Sequence, residues 1–427
     1  MKLVILAGGK GTRLGLTDIP KPMVEINGKP LLEIQIELAK RYGISEIYLL
    51  TGFMAEKIFS YFGDGSKFGV KITYFHEPYP LGTAGSLKLI EHTLEENERF
   101  LVFYGDLFIN IDIEKFIDFD RNNQESAGTL FVHPNSHPLD SDLVECDING
   151  KISVFHTKPH QIDFKFQNLA NAAVYILSKK IINYIDWNIN QDIARDIFPK
   201  LLQNNLTLYA YNSPEYLKDI GVPNRLNKVQ NDVIKGKPER LNLSNRRKAV
   251  FIDRDGVLNR NIDPPIPGKM EVFSGVSNAL ELLNQSEFLS IVVTNQPAIA
   301  KGFITFEDLL DQHKILETEM AKSNSFFDAI YFCPHHPDSG FEGEVQELKI
   351  VCECRKPKPG MLLDAQKKFN IDFSKSWIIG DSVTDIQAGK SVGCFAIQIG
   401  DQKYEEADFL VKNFQEAVSI ILDKVEE

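Results

Sequence analysis

The chain has 427 residues, 43% of them hydrophobic, which is more than one core can use, because single cores stop growing beyond roughly 250 to 300 residues. A formal net charge of −12 excludes a sequence-independent nucleic-acid binder, whose affinity comes from a basic surface meeting phosphates. The opening MKLVILAGG breaks at glycines before reaching the ~20 apolar residues of a membrane span, so a soluble cytoplasmic protein with no membrane and no nucleic-acid partner is expected.

In chain order, strand-like runs fall at 3–6, 47–50, 71–75 and 100–103, between helix-compatible stretches at 31–42 and 84–95. A polar stretch, GKPERLNLSNRRK, follows, and then a new apolar strand at 249–252. Further strands are expected at 289–293 and 377–379, with a helix at 306–321. Strands alternating with helices predict α/β architecture with a largely parallel sheet in each half, covered on both faces. The expected organisation is a domain over 1–236, a linker over 237–247 and a domain over 248–427.

The first strand runs into LAGGKGTRLG, where Gly8, Gly9 and Gly11 are followed by Thr12 and Arg13. Glycines let a backbone approach phosphates and donate N–H groups, and an arginine can fork across two phosphate oxygens, so a nucleoside triphosphate suits this loop. The Gly-Lys-Ser/Thr ending of a P-loop is missing. Further along come Lys21 in IPKPM, Gly82, Thr83 and Gly85 in PLGTAG, Asp106 after a buried strand, Lys158 in TKP and Asp219 in LKDIGVP. This ordered series resembles the sugar-1-phosphate nucleotidyltransferases over about 230 residues. Within them, TGFMAEKI, YFGDGSKFG and PLGTAG are similar to the guanylyltransferases of D-glycero-D-manno-heptose 1-phosphate.

That resemblance implies a Rossmann-like (GT-A-like) fold in which a sugar phosphate oxygen attacks the α-phosphorus of an NTP, with GTP the implied nucleotide. Arg13 would hold the leaving pyrophosphate, Lys21 the α-phosphate and Lys158 the sugar phosphate. Asp106 and Asp219 would hold Mg²⁺, while Gly82 and Gly85 leave room for nucleoside and sugar. Two positions depart from the family pattern: Thr157 stands where Glu is common, and Ala173 where Gly is common.

In the second half, the strand AVFID places Asp253 and Asp255 at its carboxyl end, where open parallel sheets bind ligands. Two such carboxylates can divide labour as nucleophile and as general acid and base. Thr294-Asn295-Gln296, Arg355-Lys356 and Gly380-Asp381 with Asp385 complete a series of four stations. They resemble the haloacid dehalogenase-like phosphatases over about 248–427. The resemblance implies an aspartyl-phosphate on Asp253, with Asp255 as acid and base. Mg²⁺ would be held by Asp253, the backbone carbonyl of Asp255 and Asp381, and the phosphoryl group by Thr294 and Lys356.

Of five cysteines, Cys333, Cys352 and Cys354 gather with His335, a donor set suited to a tetrahedral, structural Zn²⁺ rather than to a disulfide framework. His336 is left outside the ligand set. The metal loop narrows the resemblance to the D,D-heptose 1,7-bisphosphate phosphatases and the histidinol-phosphate phosphatases. CPHHPDSG and CECRKPKPGM are more similar to the former, with Arg355 the implied substrate-phosphate contact. Pro297, Ala298 and Ser382 depart from the usual pattern.

Together the halves imply an enzyme of two activities that turns a heptose bisphosphate into a nucleotide sugar, its partners being sugar phosphates and an NTP. The same reactions on a hexose phosphate, a histidinol-phosphate-type specificity, and a regulatory module with one silent domain are the alternatives. The reading leaves room for a homo-oligomer.

Overall fold

The structure, a computed structural model, describes residues 1–9, 11, 14–15, 18–161 and 163–426. It divides into two compact units, one of Met1–His133, Ser141–Pro159 and Leu169–Asn242, the other of Pro134–Asp140, His160–Asn168 and the chain from Leu243 onward. Neither unit is thus a single run of chain. The stretch read as a linker begins with a helical turn, Lys237–Leu241, tied down by Asn110: its Nδ2 donates to Glu239 (3.2 Å) and its Oδ1 accepts from Asn242 (2.8 Å).

The first unit is built on strands β1 (Lys2–Ala7), β2 (Glu46–Thr51), β3 (Lys71–His76), β4 (Arg99–Tyr104), β5 (Gly128–His133), β6 (Leu143–Cys146), β7 (Ile152–His156), β8 (Ala170–Ser178) and β9 (Leu208–Asn212). They form one sheet in the order β7-β6-β8-β4-β1-β2-β3, with β5 beside β8 and β9 beside β5. Alternation sends Leu3 and Ile5 into one core and Val4 into the other, so β1 is apolar from Leu3 to Ala7 and buried on both faces. Strands β3, β2, β1 and β4 run parallel, as the alternating pattern predicts. The sheet then changes character, because β8 is antiparallel to β4, β5 and β6.

Helix Leu31–Arg41 buries Leu31, Leu32, Gln35, Ile36, Leu38 and Ala39, one face at helical spacing. The helix expected over 84–95 is shorter. It spans Gly82–Lys88, and a tighter turn at Glu91–Thr93 follows, with the Lys88 ammonium bound to Glu91 (2.8 Å) and to the Ile182 carbonyl (3.0 Å).

The second unit carries β10 (Lys248–Ile252), β11 (Phe288–Asn295), β12 (Ala329–Cys333), β13 (Trp377–Gly380), β14 (Phe395–Ile399) and β15 (Phe409–Val411). All are parallel, in the order β12-β11-β10-β13-β14-β15. Val250 and Ile252 enter one core and Ala249 and Phe251 the other. The chain starts in the middle of the sheet and builds outward on both sides, which opens a crevice at the carboxyl ends of β10 and β13. One edge is the short β15; the other is the apolar β12, AIYFC, which pairs only with β11 among the described residues.

Candidate active sites

In the first unit, the loop after β1 turns at Gly8, where a Cβ would strike the Glu77 carboxylate, and at Gly11, whose φ of 65° and closeness to Lys21 suit glycine. Thr12 and Arg13 lie outside the described residues. Lys21 opens a short turn between Pro20 and Pro22 and sends its ammonium to Asp106, 3.0 Å away. Asp106 sits in the turn between β4 and the strand Leu107–Asn110. That turn is fixed from beneath by the buried Gln35, whose amide donates to the carbonyls of Tyr104 (2.9 Å) and Leu107 (2.6 Å).

Asp219 arrives from a distant stretch because Tyr216–Asp219 pairs antiparallel with Leu107–Asn110, setting Asp219 opposite Leu107. The Ile220 N–H donates to the Asp106 carbonyl at 3.0 Å. Burial alone would raise the Asp219 pKa. The hydrogen bond and charge of Arg225, the Gly221 N–H and the charge of Lys21 outweigh it and hold the carboxyl below its ordinary value. Lys21, Asp106 and Asp219, 198 positions apart at the extremes by their numbers, thus meet in one place.

Other expected residues take different parts. The space beside Gly82 and Gly85 belongs to the chain itself: a Cβ at either would strike the backbone carbonyls of Gln191 and Ile189 respectively. Their missing side chains permit close packing of these two segments of the chain. The Thr83 hydroxyl donates to Asp192 (3.0 Å) and accepts from the Ile193 N–H (2.9 Å), so it joins the same two segments. Lys158 follows β7, its backbone N–H donating to Asp142 at 3.0 Å. Gly9 has open space where a Cβ would be. Glu77, Gln35 and Arg225 were missed, since each acts through contacts distant in sequence.

In the second unit, three neighbouring strands deliver the polar groups. Asp253 follows β10, Thr294 and Asn295 end β11, and Asp381 follows β13. The buried Lys356 ammonium donates to Asp253 (2.7 Å) and the Val293 carbonyl (2.6 Å) and lies 2.5 Å from Asp385. Its backbone is held by Asn295, which donates to the Lys356 carbonyl and accepts from its N–H, both at 3.1 Å. Asn295 thereby positions Lys356. Thr294 is fully buried, its hydroxyl accepting from Gln296 at 2.9 Å.

Carboxylate oxygens of Asp253, Asp381 and Asp385 lie within 4.8 Å of one another. Burial, and then the charge of Asp385, push the Asp253 carboxyl up to about 8 against the pull of Lys356; the same two causes push Asp381 up to about 6. Three hard oxygen donors crowded at this cost suit a small divalent cation such as Mg²⁺. Asp385, which also caps its own helix through Ser382, was seen in the sequence only as part of a motif.

The Asp255 side chain faces elsewhere, accepting from Arg254 (2.9 Å), Asn259 (2.8 Å) and Gln296 (2.7 Å). Burial would raise its pKa, but these donors, Arg254 foremost, hold it low. It lines, with Asp253, Thr294, Lys356 and Asp381, a cavity of about 330 Å³. Arg355 is not among the lining residues. Its guanidinium donates to the His335 carbonyl at 3.3 Å instead.

Cys333 at the end of β12 meets Cys352 (3.5 Å), Cys354 (3.2 Å) and His335 (3.6 Å), and His335 Nδ1 lies 3.2 Å from Cys354. Hydrogen bonding with Cys333, ahead of Cys352 and His335, pulls the Cys354 thiol below its ordinary value against the effect of burial, while Cys333 is pushed up. Soft sulfur and imidazole donors in this number fit zinc. His336 stays outside, its Nδ1 accepting from the Asp338 N–H at 3.3 Å. No helix among the described residues is long and apolar enough to cross a membrane.

Residues 2–236 match the family model described as nucleotidyl transferase, and 353–427 the one described as HAD-hydrolase-like. A UTP–glucose-1-phosphate uridylyltransferase of Synechocystis is 36% identical over 52% of this chain, which spans 60% of that relative's length. A D-glycero-β-D-manno-heptose-1,7-bisphosphate 7-phosphatase of Yersinia pestis is 42% identical over 33% of this chain and 73% of its own. The solved structure of HddC from Yersinia pseudotuberculosis is 30% identical, covering 54% of this chain and 99% of its own at a TM-score of 0.47.

Proposed function

We propose a function that proceeds from the chain's family: it belongs to the nucleotidyl transferases through residues 2–236, and it joins to them a HAD-like phosphatase. The chain serves nucleotide-sugar synthesis in two steps, divided between a domain over 1–236 and a domain over 248–427, with 237–247 between them. The phosphatase removes the 7-phosphate of D-glycero-D-manno-heptose 1,7-bisphosphate, and the transferase joins the heptose 1-phosphate to GMP from GTP. The observation that carries the phosphatase step is Lys356 bridging Asp253 and Asp385 beside Asp381 at the mouth of a parallel sheet.

In that step a carboxylate oxygen of Asp253 attacks phosphorus, the bond from phosphorus to the sugar oxygen breaks, and the departing oxygen takes a proton from Asp255. Water then gives a proton to Asp255 and attacks the same phosphorus, releasing phosphate and restoring Asp253. Lys356 and Thr294 hold the phosphoryl oxygens. Asp253, Asp381 and the backbone carbonyl of Asp255 would hold Mg²⁺, which would supply the positive charge that keeps Asp253 ionised. In the first unit Lys21 steadies the α-phosphate, Arg13 the pyrophosphate and Lys158 the sugar phosphate, while Asp106 and Asp219 hold Mg²⁺. The Cys333, His335, Cys352 and Cys354 cluster holds a structural Zn²⁺.

The uridylyltransferase relative supports a second reading, in which UTP and a hexose 1-phosphate are the transferase substrates. Incubating the protein with Mg²⁺, each NTP and either an anomer of the heptose bisphosphate or a hexose 1-phosphate, while following phosphate and pyrophosphate separately, decides between them. Both products with GTP support the first reading. Phosphate without pyrophosphate from any NTP would remove the transferase's heptose substrate, and no phosphate would remove the phosphatase's.

A further inference from the structure

A bisphosphate keeps one phosphate when it loses the other, and the groups around Asp253 account only for the one that leaves. Beside Arg254 and Lys356, three further cations line the same cavity, Arg260, Lys269 and Lys301, together with the carboxylate of Asp263. Arg260 is largely exposed and already paired with Glu271 at 3.4 Å, and Lys269 lies on an exposed stretch. Lys301 differs. It is half-buried, and its ammonium sits 4.9 Å from the centre of the Phe341 ring. A ring face orients a cation without neutralising it, which leaves the charge available to an anion.

The turn that carries Lys301 is clamped by the insertion between the two halves of the Cys/His cluster. The Val345 N–H donates to the Ala300 carbonyl at 3.1 Å, and Leu348 packs on the cluster of Ala298, Ile299, Ile304 and Leu309. Gly302, at φ 77°, has no side chain to collide with the Gly343 carbonyl. The Phe303 and Phe341 rings meet edge to face at 6.2 Å.

We propose that Lys301, backed by Phe341, binds the phosphate that stays on the sugar and so makes the cavity select a sugar bisphosphate over a monophosphate. This rests on the reading of the second unit as a bisphosphate phosphatase. It gives the metal-knotted insertion a role in substrate choice that does not pass through Arg355, which points its guanidinium at the His335 carbonyl.

The test compares kcat/KM for the heptose 1,7-bisphosphate with kcat/KM for p-nitrophenyl phosphate, on full-length protein with Mg²⁺. In Lys301→Met the ratio of the two should fall about 10-fold to 100-fold, the range for a lost charged contact, with the change carried by KM. Lys301→Arg should recover most of it, and Phe341→Leu should fall between. A wild-type preference that survives Lys301→Met would overturn the inference and leave the phosphatase reading standing. A wild-type enzyme with no preference for the bisphosphate would overturn both.

Discussion

His313 lies buried on the helix Phe306–Ala321, and its Nε2 has no hydrogen-bond partner among the described residues. Burial first, and then the charge of Arg254, pull its pKa from 6.5 down to about 3. The unfolded chain therefore binds a proton between these values that the folded chain does not, so stability is whole above pH 6.5 and declines as pH falls. The expected slope is about 1.4 kcal/mol per pH unit well below 6.5. Urea midpoints at pH 7 and pH 5 should show a smaller loss for His313→Gln than for wild type, and equal losses would refute the assignment. Ala173 is a second residue whose meaning needed the backbone. Sequence marks it as an alanine where glycine is common; its φ of 56°, at a register shift between β8 and β5, shows why. Ala173→Gly should stabilise the first unit by about 1 kcal/mol, read from its urea midpoint. That Lys21 meets Asp106, and Asp253 meets Asp381, was legible as motif order. Glu77, Gln35 and Arg225 were not, because a carboxylate under a glycine or an amide beneath a turn leaves no local pattern.

The elements that sequence located best are those buried on both faces, such as β1 and β10, where an unbroken apolar run leaves one interpretation. The antiparallel β8 escaped, since periodicity reports which residues face a core but not which way a strand runs beside its neighbour. The glycines of the Gly82–Lys88 helix also admit the Ile189–Gln191 backbone, a contact that no local sequence pattern announces. The Cys/His cluster was legible from donor types, and its geometry makes the metal testable. Purified protein should carry about one zinc per chain by elemental analysis, and Cys354→Ala should lose it along with stability of the second unit. Full zinc content in that variant would show that the metal sits elsewhere.

For the whole molecule, two separate constellations predict separable activities. Asp106→Asn should lower pyrophosphate release about 100-fold or more and leave phosphate release nearly intact. Asp253→Asn should do the reverse, with phosphate release down at least about 1000-fold. Parallel loss of both in either variant would mean that the activities are coupled. The division into two activities was legible from motif order, but the grouping of Pro134–Asp140 and His160–Asn168 with the second unit was not, because short loops carry no signal of the core they join. One consequence of the apolar edge strand β12 reaches beyond catalysis. An edge of half-buried AIYFC that pairs with no second strand among the described residues is a template for self-association, and its last residue, Cys333, is anchored in the cluster. Removal of the knot frees that end of the strand, so metal-stripped protein should be lost first to turbidity on warming, with colloidal behaviour failing before the phosphatase chemistry does.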